Sequence, residues 1–396
     1  MSHVWPYLPA RAVNITSLVE FDRLAAEALV SHHAHGKGWR VHRVDLRERD
    51  TVLKSLDLSE ALFIDCQFSA QGQQIVQATG GLCMNSGAQL PFETGARGLY
   101  TAEELYSGIW TQTYQQVPDA KIYAYSQQHA AANADSDHSA LARTLHDHHI
   151  GQALVSQVYE GTFKDTPIIG VMGGHAMNRG TTQYAQALEL GRMITRAGYA
   201  VATGGGPGAM EAANAGAWLA DYGADDIATA LQMLAEAPDA IHQRTGWART
   251  ALMVKERFPS GRQSLGVPTW FYGHEPPNLF ATQIAKFFTN SIREAILLEQ
   301  SNGGLVVLPG AAGTVQEIFQ DACENYYATG ARVVPMVLIG KDYWSRDLPA
   351  WPLLQALAKE RVMEQKIALV DTAEEALAFI QSMETLRRRT RPAKDD

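Results

Sequence analysis

The stretch Leu308-Pro309-Gly310-Ala311-Ala312-Gly313-Thr314-Val315-Gln316-Glu317 decides the fold of this 396-residue chain. Just upstream, Gly304-Leu305-Val306-Val307-Leu308 is short, apolar and β-branched at its centre, which reads as a strand covered on both faces. A helix is expected to begin near Thr314, so the small residues between form a strand-to-helix turn. Gly310 and Gly313 let the backbone approach a ligand, while the free N–H groups and positive dipole end of the helix favour an anion there. Glu317 lies one turn into that helix. Thr314 to Glu317 also has the spacing of a capping box, in which a glutamate at the third helical position reaches back to the N-cap amide.

Outward from this turn, strand runs alternate with helical patterns from about residue 166 onward, the mark of a parallel sheet with helices on both faces. Strands are expected at 168–172, 199–202, 264–271, 305–308, 333–339 and 367–370, and helices at 184–196, 208–219, 279–299, 314–327 and 372–383. A helical insertion occupies 221–262, with helices at 227–236 and 247–257. In the first 150 residues, strands are expected at 41–46 and 61–65 and helices at 18–31 and 101–110, followed by a polar linker at 127–139 that leads into a helix near Ser139. The fold class is therefore α/β: a Rossmann-like doubly wound parallel sheet at 151–384 with an additional N-terminal α/β region at 1–150 and a polar tail at 385–396.

Hydrophobic residues make up 46% of the chain, enough for a large core, and the net charge of -9 argues against nucleic-acid or anionic-membrane partners, which need a basic footprint. The basic run Arg387-Arg388-Arg389, with Arg391 and Lys394, reads as a solvated end. Cys66, Cys83 and Cys323 are too few and too far apart for a disulfide framework or a zinc pattern. With neither a secretion signal nor an apolar run of about 18 residues, a cytoplasmic location and no membrane partner are expected.

A second small-residue turn, Thr203-Gly204-Gly205-Gly206-Pro207-Gly208-Ala209-Met210, follows the second strand of the main sheet. A third, Met172-Gly173-Gly174-His175, follows the first. Ligands of open α/β sheets sit at the carboxyl ends of the strands, so the three turns are expected to hold one ligand between them. They match neither the dinucleotide fingerprint nor a Walker loop. A single phosphate, with no lysine in the loop, suits them better than a triphosphate.

With both motifs in view, the chain resembles the LOG (Lonely Guy) phosphoribohydrolases and their longer bacterial relatives, the nucleotide 5'-monophosphate nucleosidases. Pro309 to Glu317 is similar to the family's P-G-G-x-G-T-x-x-E motif, with Ala311 in place of its second glycine, and Gly204 to Met210 matches its other glycine motif. The likeness covers about 167–378. It implies hydrolysis of the N-glycosidic bond of nucleoside 5'-monophosphates by the domain at 151–384, with AMP or cytokinin riboside monophosphates as examples, giving free base and ribose 5-phosphate. It further implies Glu317 and Arg293 as catalytic residues, no cofactor or metal, and a homo-oligomer, dimeric or larger. Arg293 matches the family arginine at a spacing one residue longer. Gly310, Ala311, Ala312, Gly313 and Thr314 then hold the phosphate, while Gly173, Gly174, Gly204, Gly205, Gly206, Gly208, Met210 and Asn290 line the nucleotide. On the helix expected at 279–299, Lys286, Asn290 and Arg293 share one polar face.

Two other readings use the same loops. One is a nucleotide-binding sensor without turnover. The other is pyridoxal phosphate dependent decarboxylation, which needs a lysine near a phosphate site, for which Lys286 is the candidate. Among remaining candidates, His146-Asp147-His148-His149 carries possible metal donors. His274-Glu275-Pro276-Pro277-Asn278 follows the third strand of the main sheet and is a candidate lining of the base or ribose pocket. Asn85 and Arg97 are N-terminal polar residues within conceivable reach of a site.

Overall fold

Parallel strands form wherever a short apolar run is bounded by turns, and the chain does this in two separate sheets. The computed structural model of the protein describes residues 13–30, 36–85, 90–95, 98–131, 137–272 and 275–390. Two compact units result, one made of 1–98 and 127–156, the other of 99–126 and 157–396. The sequence reading placed a single boundary at 150, whereas the chain passes between units three times. Residues 99–126 belong with the larger unit, where Tyr106 OH bonds the Pro277 carbonyl at 2.5 Å and Asp119 pairs with Lys286, and 127–156 packs with the smaller.

In the smaller unit, β1 (Asn14–Ile15), α1 (Leu18–Val30), β2 (Arg40–His42), α2 (Asp50–Ser55), β3 (Leu62–Ile64), α3 (Gly72–Ala78) and β4 (Leu82–Met84) build a four-stranded parallel sheet in the order β1-β2-β3-β4. The sequence reading anticipated two of these strands; the others are two or three residues long, too short to show a period. Phe21 meets Trp39 edge-on at 5.9 Å over a core that includes Val41, Leu53, Phe63 and Val76.

The chain continues through α4 (Ala102–Leu105), α5 (Pro118–Ala131) and α6 (Asp137–Tyr159). The helix expected at 101–110 is thus one short turn, closed at its start by a Thr101–Glu104 capping box. The linker expected at 127–139 is helical up to Ala131 and again from Asp137, and residues between lie outside the described ones. On α6, His146, Asp147 and His149 are buried: His146 Nδ1 lies 3.2 Å from Asp147 Oδ1, and His149 Nδ1 bonds the Thr94 carbonyl at 2.8 Å. These are core contacts, and no group of three or more metal-type side chains is gathered for an ion among the described residues. Asn85 is exposed after β4, and Arg97 lies outside the described residues.

The larger unit runs β5 (Ile168–Met172), α7 (Thr182–Arg196), β6 (Ala200–Thr203), α8 (Ala209–Trp218), α9 (Ala224–Ala235), α10 (Arg244–Arg257), β7 (Ser264–Gly266), β8 (Gln283–Ile284), α11 (Asn290–Gln300), β9 (Gly304–Val307), α12 (Ala312–Tyr327), β10 (Met336–Ile339), α13 (Ala350–Ala358), β11 (Ile367–Val370) and α14 (Ala373–Thr390). Its seven strands are parallel in the order β11-β10-β9-β5-β6-β7-β8. The chain winds outward from β5 through β8, then returns to the other side of β5 as β9, so the order reverses between β5 and β9. Strands β5, β6, β9 and β10 are buried throughout, as their continuous apolar runs require.

Helix 279–299 needs correction. Residues 282–287 are extended: Thr282 N–H bonds Ser264 O at 3.2 Å, Ala285 N–H bonds Gly266 O at 2.8 Å and Phe287 N–H bonds Pro268 O at 3.0 Å. Ile284 lies in the edge strand itself, Phe280 and Phe288 are buried on either side of it, and the helix starts only at Asn290. Lys286 therefore shares no helical face with Asn290 and Arg293. Its amine is buried 2.7 Å from Asp119 Oδ1, which also accepts from Trp270 Nε1 at 2.8 Å. Strand 264–271 shortens to three residues for the same reason, and the tail expected from 385 stays helical to Thr390.

Burial holds His42 near a pKa of about 4 and His149 near about 3, their rings 5.8 Å apart. A folded value below the unfolded one means stability is full above pH 6.5 and falls as pH drops toward these values, on the order of 3 kcal/mol per histidine. Urea midpoints of the full chain between pH 7 and 4 should therefore fall, and less steeply in His149→Gln. Identical slopes would contradict this.

Candidate functional site

Because β6, β5 and β9 are adjacent, the turns that follow them emerge side by side. Leu308 N–H bonds Met172 O at 2.9 Å and Gly174 N–H bonds Pro309 O at 3.1 Å, zipping the first turn to the third. Gly174 O in turn accepts from Ala209 N–H at 3.1 Å. Gly208, the residue before α8, has φ of 73°, and a Cβ there would stand 2.6 Å from the carbonyl oxygens of both Gly174 and His175. Only glycine tolerates both constraints.

Beneath the Gly204–Gly206 turn lies a polar network that the sequence reading missed. Thr203 Oγ1 donates to Asn214 Oδ1 at 2.7 Å and accepts from Gly205 N–H at 3.0 Å. Asn278 donates to Asn214 Oδ1 at 3.0 Å and to Gly206 O at 3.2 Å, while its own N–H bonds Gly205 O at 2.7 Å. All three side chains are fully buried and mutually satisfied, which makes the turn rigid. Asn278 thus lies against the Gly204–Gly206 turn. Glu275 sits nearby, its Oε1 3.3 Å from His175 Nδ1, and His274 lies outside the described residues. Met210 closes on the backbone of Gly204 and Gly206. Arg179, also missed, is buried and bridges Glu211 on α8 to Thr250 and the Trp247 carbonyl on α10, so the insertion is anchored to the site's floor.

The turn after β9 leads directly into α12, which begins at Ala312 with Ala311 as N-cap. That start moves Thr314 to the third helical position and Glu317 to the sixth, too deep to cap. Ala311 has φ of -104°, so alanine fits where the family motif carries glycine. Ala312 and Gly313 are exposed at the helix mouth, where first-turn N–H groups lack intrahelical partners. Gly310 is packed tightly: a Cβ would meet Thr314 Oγ1 at 2.1 Å. The Gly310 carbonyl accepts from Tyr343 OH at 2.6 Å, a contact that no local sequence signal announces.

Glu317 projects from α12 toward Arg293 on α11, with Nη1 to Oε1 at 3.2 Å and both residues 8% exposed. Asn290 Oδ1 accepts from Arg293 Nε at 3.3 Å and Nη2 at 3.0 Å, which orients the guanidinium. Arg293 Nη1 also approaches Gly204. Burial pushes the Glu317 carboxyl up to about 7; Arg293 pulls it down, and Glu294 and Glu275 push it further up. A buried carboxyl raised in this way, with an arginine held against it, is the kind of arrangement that marks candidate functional sites.

Residues 166–223 match the SLOG cluster4 family, and 250–383 match the family described as "Possible lysine decarboxylase". The first span holds Gly173, Gly174 and Gly204 to Met210, and the second holds Arg293 and Pro309 to Glu317. Over these two spans the chain is similar to LOG-type proteins. Among solved structures, it is similar to the molybdenum cofactor binding protein of Rippkaea orientalis, with 19% identity and a TM-score of 0.34 over 55% of this chain and 98% of that one. It is also similar to the Moco carrier protein of Chlamydomonas reinhardtii, with 21% identity and a TM-score of 0.35 over 56% of this chain and 99% of that one. No curated protein matches. The lysine on which the decarboxylase reading rests, Lys286, is 1% exposed and committed to Asp119.

Two glycines of the turn after β9 should respond oppositely to alanine. Gly310→Ala forces Thr314 aside and should cost about 1–3 kcal/mol. Gly313 has nothing within 4 Å of an added methyl and lies in a helix, so Gly313→Ala should gain up to about 1 kcal/mol. Thermal unfolding of both variants checks this; equal effects would contradict it.

Proposed function

We propose that the protein hydrolyses the N-glycosidic bond of nucleoside 5'-monophosphates, releasing free base and ribose 5-phosphate. The observation that carries this reading is the buried Arg293–Glu317 pair beside the mouth of α12. A phosphate on the N–H groups of Ala312 to Thr314 leaves the sugar to extend toward Glu317, past the walls made by Gly173, Gly174 and the Gly204–Gly206 turn.

Cleavage of such a bond passes through a state with positive charge at C1'. An ionised Glu317 stabilises that charge and accepts a proton from the attacking water as its oxygen bonds C1'. The C1'–N pair of electrons leaves with the base, which takes up the proton that Glu317 received, so that water is divided between the two products. The Arg293 guanidinium serves as an electrostatic clamp for the phosphate or for negative charge on the leaving base. Asn290 holds it in place. Because burial keeps the Glu317 carboxyl near pH 7, kcat/KM should rise with pH up to about that value and then level off.

Incubation with a panel of purine and pyrimidine monophosphates should yield base and ribose 5-phosphate in equal amounts. Glu317→Gln should lower kcat by about 10²-fold or more, and Arg293→Ala comparably. Release of inorganic phosphate instead, tight binding without product, or a Glu317→Gln variant as active as the parent would each defeat the proposal.

A further inference from the structure

Arg293 and Glu317 are flanked by a second facing pair, one residue along each helix: Glu294 on α11 and Gln316 on α12. Glu294 is 3% exposed, and each carboxylate oxygen has a separate hold. Oε1 accepts from Asn290 Nδ2 at 2.7 Å, and Oε2 accepts from Gln316 Nε2 at 2.5 Å. Asn290 is therefore shared, with its carbonyl oxygen taking Arg293 and its amide taking Glu294. Oε1 of Glu294 also stands 3.7 Å from Arg293 Nη2, against 3.2 Å between Nη1 and Glu317. One guanidinium thus faces two buried carboxylates at nearly equal range.

We infer that Glu294 is a positioning residue for the reaction proposed above: held by Asn290 and Gln316, it takes a share of the Arg293 charge and so leaves Glu317 a competent proton acceptor near neutral pH. Paired with Arg293 alone, a carboxylate is held ionised and is a weak base. A second negative group at the same arginine opposes this. The titratable groups acting on Glu317 are Arg293 and Glu294 from α11 and Glu275 from the segment after β7. Glu275 is in turn faced by His175. Of the carboxylates, only Glu294 also reaches Arg293 itself, within 4 Å. Gln316 can turn its amide, so Glu294→Gln keeps both hydrogen bonds and removes only the charge.

The test does not need turnover. In the full chain, the stability difference between the parent and Glu317→Gln across pH 5 to 9 reports the ionisation of Glu317. A folded value above the ordinary 4.5 means that the parent loses stability, relative to the variant, as pH rises from 4.5, and stops losing it near pH 7. With Glu294→Gln in both proteins, that endpoint should move down by roughly one unit, and the acid limb of kcat/KM should move with it. Gln316→Ala frees Glu294 to close on Arg293, so the endpoint should move up. Endpoints unmoved in both backgrounds would overturn the inference, even with the nucleosidase intact. Endpoints that move as expected in a protein that releases no base would sustain it and sink the proposed reaction instead.

Discussion

The site depends on how closely two backbones approach at Gly208, where α8 begins against the carbonyls of Gly174 and His175. The 3.1 Å bond from Ala209 to Gly174, and the equal bond from Gly174 to Pro309, join the three turns into one rim. Any side chain at Gly208 would prise the middle turn from its neighbour. The parallel register of β6, β5 and β9 sets the level at which the turns emerge, and the buried Thr203, Asn214 and Asn278 lock the turn after β6 from below.

On that rim sits an ion pair whose value for stability is doubtful. Removing a carboxylate and a guanidinium from water costs several kcal/mol, and their attraction returns this only with good geometry and full hydrogen bonding. Arg293 and Glu317 meet at 3.2 Å, and the arginine is divided between Glu317, Asn290 and Glu294. The arrangement makes sense as pre-set charge, positive and negative side by side, for a reaction in which both signs develop at once.

Much of this was legible in the residues. The turn after β9 and its glutamate, the paired glycine turn after β6, and the arginine on α11 are short-range patterns, and the structure brings them together. Patterns that depend on long-range pairing were not legible. Residues 279–289 carry apolar spacing that suits a helix, yet Asp119 draws Lys286 inward and the edge of the sheet claims the backbone. The same spacing argument placed Lys286 beside Arg293, where it is not. Glu317 had the spacing of a cap, and the assignment turned on α12 starting two residues before Thr314. The contacts from Gln316 to Glu294, from Asn278 to Asn214 and from Tyr343 to Gly310 each span more than twenty residues, so nothing local marks them.

The central claim is that one phosphate binds the mouth of α12 with the glycosidic carbon at Glu317. A crystal structure of Glu317→Gln with bound AMP tests it most directly. The phosphate should lie on the N–H groups of Ala312, Gly313 and Thr314, with C1' beside residue 317 and Arg293 within hydrogen-bond reach of the nucleotide. A phosphate seated instead in the Gly204–Gly206 turn, with C1' remote from residue 317, would contradict the account.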